Sequence, residues 1–112
     1  MGAPVHRNMQ FVGGREARLV RQAVLVARAR RRTVLRPFGL AATAGGFVEI
    51  HPFGEGLLLE RLRADVRRAA KGGGAALVYE GESNGDDVFV VEVFADVRAD
   101  GVPAEHVVPV EG

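Results

Sequence analysis

The chain has 112 residues, 47% hydrophobic and 26% charged, the size and composition of one globular domain able to bury roughly two-thirds of its unfolded surface. It has no Cys, which excludes disulfides, zinc-thiolate centres and thiol catalysis. No run of 18 apolar residues occurs, and the opening MGAPVHRNMQFVGG lacks the charged start and apolar core of a signal peptide, so the expectation is a cytoplasmic protein without membrane contact.

The net charge of +1 conceals a strong asymmetry. Residues 1–36 carry nine Arg against Glu16 alone, a net +8, and residues 72–112 carry Arg98 against nine acidic residues, a net −8. The middle of the chain nearly balances. Such a division points to a protein partner or self-association alongside nucleic acid. The excess of Arg over Lys, with plentiful Ala, Gly and Val, reads as the mark of a GC-rich bacterial genome.

In chain order, residues 1–8 read as a loose tail, residues 9–98 as a single domain and residues 99–112 as an extension able to add an edge strand. A short strand is expected at Met9–Val12. From Arg15 to about Arg32, Ala17, Leu19, Val20, Ala23, Val24, Val26 and Ala27 share half of a helical wheel, predicting an amphipathic helix that stops before Pro37. TVLRPFGLAA and FVEIHPF, separated by TAGG, predict a hairpin, and Pro37 and Pro52 suggest edge or bulged strands. Leu58, Leu62, Val66 and Ala69 mark a second helix over 56–71, closed by Gly72–Gly74, with an Arg61–Asp65 pair at i,i+4. AALVYEGE and DVFVVEVFADV then form a hairpin around SNGD.

The length of that last turn decides which side chains share a face. A two-residue Asn84-Gly85 turn sets Glu80 beside Phe89 and leaves both faces mixed. A three-residue Ser83-Asn84-Gly85 loop pairs Tyr79 with Phe89 and Leu77 with Val91, giving one wholly apolar face, and is preferred on that ground. The fold expected is α+β: two amphipathic helices on one face of a mainly antiparallel sheet, in helix-hairpin-helix-hairpin order. Val88, Val90 and Phe94, with Glu92 and Asp96, then lie on an uncovered face of apolar patches rimmed by acid, the pattern of a dimer or partner interface. The competing reading covers these valines with the C-terminal VPAEHVVPV. The element order resembles that of roadblock-type and related profilin-like domains, which are dimeric scaffolds. The resemblance is one of topology alone, and no site residues follow from it.

Residues able to do chemistry are scarce. Ser83 falls in a turn and Tyr79 on a core face, and no cofactor is expected. Glu49 and His51, two apart on one strand, could orient a general base or share a metal, but no third ligand accompanies them. FVGGREAR has the strand, glycines and helix start of a phosphate-holding turn but lacks the further glycine and the Lys-Ser/Thr of the specific loops. Gly72–Gly74 reads better as a helix stop.

The most conspicuous feature is basic. Arg18, Arg21, Arg28 and Arg32 form a stripe with Leu25 opposite the apolar face, about 21 Å long at the helical rise. Arg suits bidentate phosphate contacts. Against nucleic acid stand the modest pI, the acidic third and the few aromatics. The function expected is therefore a small non-enzymatic interaction or assembly module that self-associates or binds a protein partner. Nucleic-acid binding through the basic helix is the alternative, and a small enzyme built on Glu49 and His51 the second.

Overall fold

The computed structural model describes residues 14–52, 59–94 and 102–111. The first helix, α1 (Arg15–Arg30), is followed by β1 (Phe38–Thr43), β2 (Gly46–Ile50), α2 (Leu59–Ala69) with a 3-10 turn at Ala70–Gly72, β3 (Ala75–Ser83), β4 (Asp86–Phe94) and β5 (Ala104–Pro109). The five strands form one antiparallel sheet in the order β2-β1-β3-β4-β5. No helix among the described residues is long and apolar enough to cross a membrane. The expected strand at Met9–Val12 lies outside the described residues, as do Leu58 and Asp96.

Helix α1 buries Ala17, Leu19, Val20, Ala23, Val24 and Ala27, the spacing its sequence predicts. It ends two residues earlier than expected, because Arg31 leaves the helix with extended backbone (φ −67°, ψ 128°). Pro37 stands immediately before β1, which is an interior strand between β2 and β3 and not an edge. Its ring closes no ladder position there.

The β3–β4 turn has two residues. Ser83 pairs with Asp86, Glu80 with Phe89, Val78 with Val91 and Leu77 with Glu92, which corrects the expected three-residue loop. Asn84 (φ 53°) and Gly85 (φ 85°) are both left-handed, as a type I′ hairpin turn requires. The local turn preference therefore prevails over the wish for a wholly apolar face, and both faces of the ribbon are mixed.

Mixed faces are stable because each is covered. Phe38, Leu40, Ala76, Val78, Phe89, Val91 and Val93 cluster with the apolar stripe of α1. Ala41, Ala75, Leu77 and Phe94, which alternate with them along the same strands, cluster instead with Leu62 and Val66 of α2. Successive residues of a strand point to opposite sides, so the helices lie on opposite faces, in place of the expected packing on one. Helix α2 approaches closely at Gly39, where an added Cβ would sit 2.5 Å from Val66 Cγ2. The C-terminal stretch supplies β5, which extends the sheet beside β4 and does not lie over its valines.

Candidate functional site

On each face of the β3–β4 ribbon one glutamate is drawn out of solvent, Glu80 on one and Glu92 on the other, and each is met by an arginine from the layer covering that face. On the α1 side Glu80 accepts hydrogen bonds from Arg31 Nε and Nη2, both at 2.9 Å, and from the Leu35 N–H at 2.8 Å. The Arg31 guanidinium holds the Glu80 carboxyl below the usual carboxylate range. Asp87 adds a 3.5 Å ion pair to the same guanidinium. On the α2 side Glu92 accepts from Arg63 Nε (2.8 Å) and Nη2 (3.0 Å) and from the Tyr79 hydroxyl (2.7 Å). Burial works to raise the Glu92 pKa, but the bonds from Arg63 and Tyr79 outweigh it and hold it low. Tyr79 is pushed up to about 12, first by burial and then by its bond to Glu92. Arg63 also donates to Glu60, at 2.6 Å.

Glu49 and His51 do meet, with Glu49 Oε1 2.8 Å from His51 Nε2. Arg30 Nη2 lies 2.9 Å from both oxygens of the same carboxylate and, more than His51, holds it below its ordinary pKa. A carboxylate so engaged orients its neighbours and has little basicity left for proton abstraction. Among the described residues no group of three His, Cys, Asp or Glu could hold a metal ion. The expected Arg61–Asp65 pair is replaced by Arg68–Asp65, three residues apart on the same helix. His106, on β5, is buried with Nε2 2.7 Å from Glu16 Oε2, while its Nδ1 has no hydrogen-bond partner among the described residues. Nothing in its exposed-looking context AEHVVPV signals this burial.

The expected partner surface is inside the molecule. Val88, Val90, Glu92 and Phe94 are 6%, 9%, 6% and 3% exposed. Phe94 packs in the α2 cluster, with the Arg67 guanidinium 5.2 Å from its ring centroid. Val90 lies between Tyr79 and Val107, and Val88 between Gly81 and Pro109, on neighbouring strands. The fifth residue of that set, Asp96, lies outside the described residues. An open sheet face is thus corrected to a buried one: α2 takes Phe94 and Glu92, while Val88 and Val90 are buried beside their strand neighbours.

The outer face of α1 is open. Arg18, Arg21 and Arg28 are exposed, and Leu25 between them is 62% exposed. Arg28 donates to the Pro109 carbonyl at 3.2 Å, and the Arg18 guanidinium stands 6.0 Å from the Phe47 ring centroid. Among the described residues none of the three forms an ion pair with a carboxylate. Arg32 is exposed too, but it lies in the bend after α1, so the helical stripe ends at Arg28 and spans about 15 Å.

Two cavities mark the two ends of α1. Beside its first turn, a cavity of about 320 Å³ is lined by Arg15, Arg18, Ala42, Thr43, Ala44, Gly46, Phe47, Gly72 and Gly73. Beyond its last turn, one of about 510 Å³ is lined by Arg31, Gly85, Asp86, Asp87, Pro109, Val110 and Glu111. One is basic and the other mainly acidic. Comparison with family models, curated proteins and solved structures finds no match for the chain.

Proposed function

We propose that the chain is a small non-enzymatic interaction module whose working surface is the outer face of α1, and that this surface docks acidic protein, first of all a second copy of the chain. One observation carries the reading. Arg18, Arg21 and Arg28 flank exposed Leu25 without a carboxylate partner among the described residues, whereas Arg30, Arg31, Arg63 and Arg68 are each taken by at least one. Unneutralised charge around an apolar residue steers encounter while the apolar contact adds affinity. The matching surface is available in the same gene product, since Glu82, Asp86, Glu105 and Glu111 are exposed.

Light scattering of wild type and an Arg18/Arg21/Arg28→Glu variant across salt concentration tests this. Wild type is expected to self-associate at low salt and dissociate as salt rises, and the variant to remain monomeric with its circular dichroism unchanged. A wild type that is monomeric at every concentration and salt overturns the self-association. Labelled duplex and single-stranded oligonucleotides, titrated in parallel, address the nucleic-acid alternative. Tight binding that the variant loses, with a log-log salt slope of about −0.9 per phosphate contacted on duplex, makes phosphate backbone the partner in place of acidic protein.

A further inference from the structure

We infer that the cavity beside the first turn of α1 is a binding site for a small phosphomonoester. The argument is separate from the outer-face reading and rests on what the fold brings together there. Arg15 and Arg18 stand one turn apart on the helix and both line the cavity, and among the described residues none that lines it is acidic. The one carboxylate of that turn, Glu16, is directed to His106 on the sheet. Two guanidinium groups that share a concavity without a counter-ion among the described residues call for a dianion, and the planar guanidinium fork matches phosphate oxygens two at a time.

The remaining walls fit the organic part of such a ligand. Phe47, Ala42 and Ala44 give an apolar side, and Phe47 sits beneath the Arg18 guanidinium. The glycine run adjoins this side, with the Ala42 N–H donating to the Gly74 carbonyl at 3.0 Å and Gly72 and Gly73 lining the cavity. Gly73, at φ 146°, takes a backbone that other residues rarely adopt, and the Arg15 stem passes within 3.8 Å of where a Cβ at Gly74 would be. The turn after α2 thus brings chain without side chains up to the arginines. A volume of about 320 Å³ is near the lower end for ligand sites, which selects a small ester over a dinucleotide.

Gly72 and Gly73, which the sequence presents as a helix stop, line the cavity, and Arg15 and Arg18 give the site its charge.

Phenyl phosphate and inorganic phosphate are the probes, titrated into the full chain at constant ionic strength and followed by amide chemical shifts. Saturable shifts are expected at Thr43, Gly46, Gly72 and Gly73, with phenyl phosphate binding more tightly than inorganic phosphate. Arg15→Gln should weaken phenyl phosphate binding at least tenfold, whereas Arg21→Gln and Arg28→Gln, on the outer face only, should leave it within twofold of wild type. Because Arg15 is not part of the outer stripe, loss of self-association and loss of ligand binding are read by different variants. Absence of saturable shifts with either probe overturns the site, as does an Arg15→Gln protein that binds like wild type while keeping its native spectrum. Equal weakening by Arg21→Gln would show diffuse attraction to the basic face and also overturn it.

Discussion

On the α1 face of the β3–β4 ribbon, Glu80 is held by an arginine that has left its helix; on the α2 face, Glu92 is held by an arginine in the middle of one. The Arg31 and Glu80 side chains are 22% and 14% exposed, against 18% and 8% for Arg63 and Glu92. Both pairs are doubly hydrogen-bonded, but the second is deeper and recruits Tyr79 as a third member. A carboxylate within a covered sheet is tolerable only if its charge is answered by hydrogen-bonded partners. The shallower pair also fixes where α1 ends, while the deeper one ties α2 to the sheet it covers.

The sharpest way to break the comparison is to remove one arginine at a time. Arg63→Ala leaves Glu92 buried and without its cation, and is expected to cost about 3–5 kcal/mol in urea unfolding. Arg31→Ala should cost distinctly less, since water can reach Glu80 and the Leu35 N–H still donates to it. Equal losses would erase the distinction of depth. The α2 face can be stressed without touching charge. Gly39→Ala pushes a methyl into Val66 and should destabilise by about 1–3 kcal/mol, read from the same denaturation curves.

Tyr79 sharpens the α2 side alone. It is the only tyrosine, so an ultraviolet titration reads it directly, with a midpoint near 12 against an ordinary 10. A raised tyrosine pKa means that the folded state keeps the proton longer, so this contribution to stability is lost as pH rises from about 10 to 12. Tyr79→Phe should remove that alkaline loss and cost about 1 kcal/mol at neutral pH. At the acid end the sign reverses. Glu80, Glu92 and Glu49 are all held below 4.5, so their contribution is complete above that value and falls away as pH drops below it. Acid unfolding followed by circular dichroism should become shallower in an Arg63→Met/Glu92→Leu protein. The smallest effect is expected at the surface. Arg30→Ala breaks an ion pair whose arginine is 57% exposed and should cost under about 1 kcal/mol.

Local signals in the sequence carried far. The apolar half-wheel of α1 and both hairpins are visible in neighbouring residues, whereas the two-residue Asn84-Gly85 turn overrides the longer loop that an apolar face asks for. Faces were harder to read, for a physical reason. Demanding one apolar face on the ribbon presumes that charges point to water, whereas Glu80 and Glu92 point into covered layers and meet arginines 49 and 29 positions away. That distance hides the partner from any local pattern. The five arginines between Arg28 and Arg36 likewise divide only in three dimensions: Arg30 and Arg31 are taken by Glu49 and Glu80, and Arg28 turns to a backbone carbonyl. The candidate cavity assembles from Arg15, Phe47 and Gly73, three segments whose adjacency follows from the sheet order and from α2 lying between β2 and β3.

The position of β4 has a kinetic consequence. All nine of its residues pair with β3, and six of them pair with β5 as well. The β3–β4 hairpin closes over two residues and needs little chain entropy to form, whereas β1 reaches β3 only after α2 has been spanned. The hairpin should therefore form early in refolding and serve as the template on which β1 docks. Its central amides, at Phe89, Val91 and Val93, should be among the last in the molecule to exchange with deuterium, well after those of the edge strand β2.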